Sequence, residues 1–535
     1  MDINNSQPVK ERDRTLGNGL AAAKDIAPGD VIVRINDTFL IVVEKAALEQ
    51  VCSYCLAEAE ASTLKRCVGC QKVRYCNATC QQADWKLIHK SECSLFRRLP
   101  DVPPTPVRAL YQALRRNLPI EQDSSSISPQ EHHFEELKNE KKTRDEILLQ
   151  ARAAVEFSKS PISKMDDVAK FMCLLTTNAF RATLPDDTPI GLCYEPKLAL
   201  ANHSCIPNSF IMFDGRCILL MALNPIKAGE SLFISYVDFT QSREVRRAEL
   251  RQRYFFECNC KKCLHDESAY QVFQDATIVH LEKQELFYHS KSLGQHAESR
   301  INTLRSLTQE YKALEPRIAK FYSLVETIKA TATPSEYLDS LKDALSGLSM
   351  LKANQIFALA PYPMILDEIY LTYVDHNKLE SALILLLFIF LNCDVYNWPQ
   401  PNHPVRVTRL FTIVRLLRYV ASLEASVVFQ HVPFMPEEAF DKIDFVDAVQ
   451  AMLILVNELA PVSHGKGSRF VRQVEEELRE AEEVQRLRGG VGEKLKKWQS
   501  DSDAKSDGGK IASQIFEGLR TLAGYAFTVM EKQTL

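Results

Sequence analysis

Residues 52–93 read CSYCLAEAEASTLKRCVGCQKVRYCNATCQQADWKLIHKSEC. Their ligand-type side chains fall in four pairs: Cys52 with Cys55, Cys67 with Cys70, Cys76 with Cys80, and His89 with Cys93. Eight such residues at gaps of two or three match two tetrahedral zinc sites. The segment is too short to bury a stable apolar core. Metal would supply the missing folding free energy, on the order of 10–16 kcal/mol per structural zinc. Four protein ligands per ion leave no position for water, so the zinc reads as structural. Seven ordinary buried or redox-active cysteines would rarely fall into four such pairs.

The surrounding chain has 535 residues, 46% hydrophobic and 25% charged, a globular composition that excludes disorder as the dominant state. A net charge of −4 gives no chain-wide basic field for nucleic acid, which makes nucleic acid a disfavoured partner. The opening MDINNSQPVKERDR lacks the apolar core of a signal peptide, and the longest apolar run, Ala382 to Leu391, is too short to span a bilayer. The expectation is an intracellular protein, in nucleus or cytoplasm, with no membrane partner. In that setting the clustered cysteines among the 15 read as metal ligands and not as disulfides.

Between Lys65 and Arg98, eight Lys and Arg face only Asp84 and Glu92. Charge compensation accounts for them, because seven thiolates on two dications leave a charge of −3. A surface for nucleic acid or an acidic partner is the sharper reading.

Residues 15–45 read as short strands and turns, with a Gly-rich turn at 16–20 and a second at 26–30 leading into Val31–Val33. Residues 100–145, rich in Pro, Ser and charge, read as linker and mobile insert, with His132 and His133 exposed. Residues 165–263 return to strands and turns. Beyond about 270 the spacing is helical, with a charged helix over 470–488, a flexible break over 489–510 and a last helix over 511–532.

A third metal site would use Cys258, Cys260 and Cys263. Cys205 is the leading fourth ligand, with Cys193 and Cys217 as competitors. Otherwise Cys173, Cys193, Cys217 and Cys393 read as buried small hydrophobes. Arg243, Arg246, Arg247 and Arg251 read as a solvated helix face, with docking of an acidic substrate as the sharper option.

Four separated motifs resemble a SET-domain protein lysine methyltransferase: GNGL (17–20), ANHSC (201–205), GESLFISY (229–236) and CNCKKC (258–263). The segment LKRCVGCQKVRYCNATCQQADWKLIHKSEC, with Tyr75 and Trp85, resembles a MYND zinc finger. The finger lies inside the SET segment, after Arg34 and before Phe171. That arrangement resembles the SMYD family over residues 15–265, and more loosely in the tail through Asn402-His403-Pro404.

The resemblance implies an α+β chain: a SET β-fold split by a MYND finger, a post-SET zinc site and a helical, TPR-like C-terminal domain. The implied boundaries are 1–50 and 165–245 for the two SET parts, 51–97 for the finger, 98–164 for linker and helical insert, 246–268 for the post-SET segment and 269–535 for the helices. Interleaved ligation is implied, with Cys52, Cys55, Cys76 and Cys80 on one zinc and Cys67, Cys70, His89 and Cys93 on the other. Cys205, Cys258, Cys260 and Cys263 would hold a third.

The implied activity is S-adenosylmethionine-dependent lysine N-methylation of a histone or non-histone protein. The implied cofactor residues are Gly17, Asn18, Gly19, Asn178, Asn202, His203, Tyr254 and Phe256. Phe180 would line the lysine channel and Tyr236 would be catalytic. The finger would bind proline-containing peptides of partner proteins. The competing expectation is an inactive SET/MYND adaptor.

Overall fold

The computed structural model describes the chain except for residues 1–8, 14–16, 59–62, 121–129, 279–281, 289, 315, 317, 319–320, 322–331, 437 and 502. The serine-rich stretch 121–129 of the expected insert thus lies outside the described residues. The chain forms two compact units. The first comprises residues 1–237 with 247–258, and the second residues 238–246 with 259–535.

The described strands are β1 Val9–Asp13, β2 Gly17–Ala21, β3 Val31–Ile35, β4 Leu40–Val43, β5 Lys65–Arg66, β6 Arg74–Tyr75, β7 Phe180–Thr183, β8 Pro189–Tyr194, β9 Asn202–His203, β10 Ser209–Asp214, β11 Cys217–Ala222 and β12 Phe233–Ile234. Two three-stranded sheets, ordered β10-β11-β3 and β4-β8-β7, carry the first unit. All four side chains of β4 are buried, because its sheet is covered on both faces. Ile41, Val43, Cys193 and Ala182 join the β10-β11-β3 side of the core. Leu40, Val42 and Tyr194 pack instead against the helices Thr105–Arg115, Lys141–Ser158 and Met165–Asn178. Gly191 sits where the sheet is tightest, and a Cβ there would meet Val42 O at 2.1 Å.

The helix Thr105–Arg115 corrects the reading of 100–145 as linker and mobile insert. Val107, Ala109, Leu110, Tyr111 and Ala113 are buried, so this polar-looking stretch has a strong apolar face.

β9 and β12 pair in parallel, Asn202 opposite Phe233 and His203 opposite Ile234. Asn208 holds the crossing. Its Nδ2 donates to Ser231 O (2.9 Å) and its Oδ1 accepts from Phe233 N (2.8 Å).

The second unit is helical around one extensive apolar core. The run Ala382–Leu391 continues as the segment Leu379–Asn397. Together with Phe445–His464 it is long and apolar enough to cross a membrane, yet 83% and 61% of those windows are buried. The charged helix is found at Arg469–Arg488. The expected flexible break is instead the helix Gly492–Ser500, anchored by fully buried Leu495 and Trp498. The expected last helix is two, Asp507–Ala523 and Ala526–Lys532.

Candidate active site and metal centres

Three groups of four side chains bring their ligand atoms within 4.8 Å of one another: Cys52, Cys55, Cys76 and Cys80; Cys67, Cys70, His89 and Cys93; and Cys205, Cys258, Cys260 and Cys263. The first two reproduce the interleaving expected for the finger. A tetrahedral ion with Zn–S bonds of about 2.3 Å sets its sulfurs about 3.8 Å apart. Cys55 and Cys76 are separated by 3.5 Å, and Cys67 and Cys93 by 3.9 Å.

His89 Nε2 lies 3.3 Å from Cys67 Sγ and 3.7 Å from Cys70 Sγ. Burial pushes the imidazole down to about 4, which keeps it in the neutral form that binds metal. Burial, with the neighbouring Cys70, pushes the Cys93 thiol up to about 12. Such crowded, buried sulfurs are stable as thiolates only around a cation. The donor sets fit zinc.

Local structure aims these ligands. Asn77 caps the helix Ala78–Asp84 by accepting from Cys80 N at 3.0 Å, which fixes Cys80. The finger is tied to the sheet by a buried ion pair. Arg108 Nε donates to Glu92 Oε1 (3.1 Å), Gln112 Nε2 to the same oxygen (3.0 Å), and Arg108 NH1 to Val43 O of β4 (2.6 Å). Several of the finger's basic residues are engaged. Arg66 and Arg74 pair with Glu49, and Lys72 donates to Pro100 O.

The second locus joins three of the distant motifs with the aromatics that precede the cysteine cluster. Asn202 Nδ2 donates to Asn18 O (3.2 Å), which links β2, a strand where the sequence pattern predicts a turn over 16–20, to the ANHSC segment. Gly17 has φ +73°, a conformation that glycine adopts freely. Tyr236 N donates to His203 Nδ1 (3.0 Å), and His203 Nε2 lies 3.2 Å from Cys205 Sγ. Tyr236 Oη donates to Ala201 O (2.7 Å). Burial and the neighbouring Tyr254 raise its pKa well above the usual phenol value, so the hydroxyl stays protonated.

The ring of Tyr254 lies 4.8 Å from that of Tyr236, and Tyr254 Oη donates to Tyr236 O (3.3 Å). Phe256 closes the group, 6.0 Å from His203 and 6.4 Å from Tyr236. Between them Phe255 turns the chain with φ +59°, and its ring rests on His133 at 4.7 Å.

Not every expected residue joins this cluster. Asn178 ends the helix Met165–Asn178 and donates to Glu131 O (2.8 Å) and Leu174 O (3.1 Å). Phe180 packs against the same core as Tyr236 and borders a separate cavity.

Other readings change. His132 and His133 are half-buried, not exposed. Cys217 is half-buried beside Arg34 NH1 at 3.3 Å, whereas Cys173, Cys193 and Cys393 are fully buried as expected. Asn208, Gln130 and the Ala201 carbonyl carry no sequence signature. Asn208 follows the ANHSC motif by three residues, and its side chain completes the parallel pairing. Gln130, buried in a stretch read as mobile, accepts from Tyr194 Oη and donates to Pro196 O (2.7 Å).

Sequence and structure comparisons relate the chain to known proteins over about half its length. The SET domain family profile matches residues 17–237. SET domain and MYND-type zinc finger protein 6 of Schizosaccharomyces pombe is 31% identical, over 47% of this chain and 51% of its own length. The histone-lysine N-methyltransferase SMYD3 of Mus musculus is 32% identical (49% and 63%). The N-lysine methyltransferase SMYD2-A of Xenopus laevis is 30% identical (46% and 58%). The chain thus spans about half to under two thirds of these relatives' lengths. Among solved structures, Rubisco LSMT bound to AdoMet matches 48% of this chain and 53% of its own at 19% identity and a TM-score of 0.28. Residues 17–237 thus match the SET domain family, with the cysteine-rich finger inside the matched stretch, and the chain is similar over about half its length to SET and MYND zinc finger proteins of the SMYD type.

Proposed function

We propose that the protein is an S-adenosylmethionine-dependent protein lysine N-methyltransferase. The observation that carries the reading is the convergence of Asn18, Asn202, His203, Tyr236, Tyr254 and Phe256, from four distant stretches of chain, around one locus. Gly17, Asn18, Gly19, Asn202, His203, Tyr254 and Phe256 are the residues proposed to hold the cofactor, and Asn178 is proposed to contribute from outside that cluster, at the end of its helix. When bound, the cofactor supplies an electrophilic methyl on a sulfonium.

The chain's own groups do the rest. A lysine amine of pKa about 10.4 must be neutral to attack, which costs about 4.6 kcal/mol at pH 7. The rings of Tyr236 and Tyr254 would give the amine an apolar surrounding that disfavours its charged form, and Phe180, from the cavity it borders, is proposed to line the approach of the lysine. Tyr236 commits its proton to Ala201 O, so its oxygen is left to accept an N–H of the incoming amine and align the lone pair. A protonated phenol is not a general base, and the amine's proton leaves to water. The His203–Tyr236 bond holds the tyrosine in place. We further propose the sequence-derived domain boundaries, and that the finger binds proline-containing peptides.

The test is calorimetry with S-adenosylmethionine, followed by transfer of labelled methyl to a panel of proteins. Micromolar or tighter binding with label on lysine supports the reading. Absence of cofactor binding by zinc-loaded protein overturns it in favour of an adaptor.

A further inference from the structure

We propose that the cavity beside Phe180 receives the stretch of a protein substrate flanking its target lysine, and that Arg181 and Arg253 select acidic residues there. The inference deepens the methyltransferase reading and rests on it. The cavity, of about 440 Å³, is bordered by Phe180 and Arg181 of β7, Gly191 of β8, Thr176, Glu44 and Arg253, among others. Its position follows from Arg253. The guanidinium lies 5.3 Å from the centre of the Tyr254 ring, and that ring lies 4.8 Å from Tyr236. Arg253, which borders the cavity, is therefore one aromatic ring away from the ring of Tyr236.

Its ionisable lining is one carboxylate, Glu44, against two guanidinium groups. Arg253 donates to Glu249 (2.7 Å), an exposed pair that an incoming carboxylate can rearrange at little cost. Arg181 is exposed, and its charge offsets part of the effect of burial on the carboxyl of its acidic neighbour Asp187. A planar donor fork at such a place suits carboxylate recognition.

Arginines nearer the cysteine cluster do not compete for this role. Arg246 is buried and donates to Gln241 O and Cys263 Sγ. Arg247 donates to Cys258 O and pairs with Glu257. Arg243 pairs with Glu244 and Asp266. Arg251 lies 3.9 Å from the same Glu257. Of the arginines on this helix, Arg253 is the one that borders the cavity, and the acid-docking charge is assigned to it and to Arg181 of β7.

The experiment uses full-length, zinc-loaded protein and three lysine peptides identical except for Glu, Gln or Arg on both sides of the lysine. The expected order of kcat/KM is Glu, then Gln, then Arg, with on the order of tenfold between the ends at low salt and less at high salt. Arg181→Glu should reverse the order, and Arg181→Lys should keep it. Equal kcat/KM for the three peptides overturns the proposal. So does an order unmoved by Arg181→Glu in protein of wild-type cofactor affinity. If Arg181→Glu weakens S-adenosylmethionine binding more than peptide binding, the cavity belongs to the cofactor and the proposal fails. Absence of transfer to every peptide would count against the methyltransferase reading. Fluorescence anisotropy with the same peptides would then still decide the charge preference.

Discussion

The backbone N–H of Tyr236 donates to Nδ1 of His203, and this single bond settles which ring nitrogen carries the proton. The proton sits on Nε2, which faces the sulfur of Cys205 at 3.2 Å. One imidazole thus bridges the tyrosine proposed for catalysis and a proposed zinc ligand. An N–H aimed at the sulfur favours its thiolate form.

Tyr236→Phe removes the oxygen proposed to align the amine and leaves Ala201 O without its donor. We expect kcat to fall roughly 10²-fold, as for other lost alignments, with cofactor affinity changed less than about twofold. Single-turnover kinetics with calorimetry check this. Because burial raises the Tyr236 pKa, no limb of the wild-type pH–rate profile should arise from this phenol below its ordinary value of about 10.

Asn202→Ala breaks the bond to Asn18 O and loosens the glycine-rich start of β2. A net hydrogen bond is worth about 1 kcal/mol, so S-adenosylmethionine affinity should fall about fivefold. Calorimetry at constant pH reads the change, and the melting temperature should move by no more than a few degrees.

Glu92→Ala strands the guanidinium of Arg108 in the interior between finger and sheet. Removing one partner of a buried pair costs about 3–5 kcal/mol. The urea midpoint should drop accordingly. The double variant Glu92→Leu with Arg108→Met should recover much of the loss.

Zinc analysis of the purified chain should give three ions. Cys93→Ser should remove one and lower stability, and a strong chelator should unfold the finger. A wild-type value of two would dissolve the Cys205 group.

Asp394, at 1% exposure in the second unit, has its carboxyl pushed up to about 7 by burial, against the opposing charge of Arg409. The folded state therefore holds this proton more tightly than the unfolded chain does. The group's stabilising contribution is complete below the unfolded value of about 4 and is lost as pH rises through about 7. Denaturant midpoints should decline over that range in the wild type and decline less in Asp394→Asn.

Much of this was legible in the chain. Ligand spacing exposed the finger because metal geometry is short-range and repeats itself in sequence. The locus around Tyr236 was legible only through resemblance, since nothing in the spacing of Asn18, Asn202 and Tyr236 reveals that they touch. Polar composition misled at Thr105–Arg115 and Gly492–Ser500. There a few apolar side chains at helical spacing, Leu110 or Trp498 among them, outweigh exposed charge through tertiary burial. The parallel pairing held by Asn208 has no local signature, because its two strands contribute two residues each.

The separation of β4 from β8 has a consequence for biosynthesis. Ribosomes add about 5–20 residues per second, so the roughly 150 residues between Val43 and Gly191 leave β4 without its partner for about 8–30 s. All eight ligands of the finger emerge within that interval. Metal supply during translation therefore decides whether the nascent chain waits with an ordered insert or with seven loose thiols beside an apolar strand.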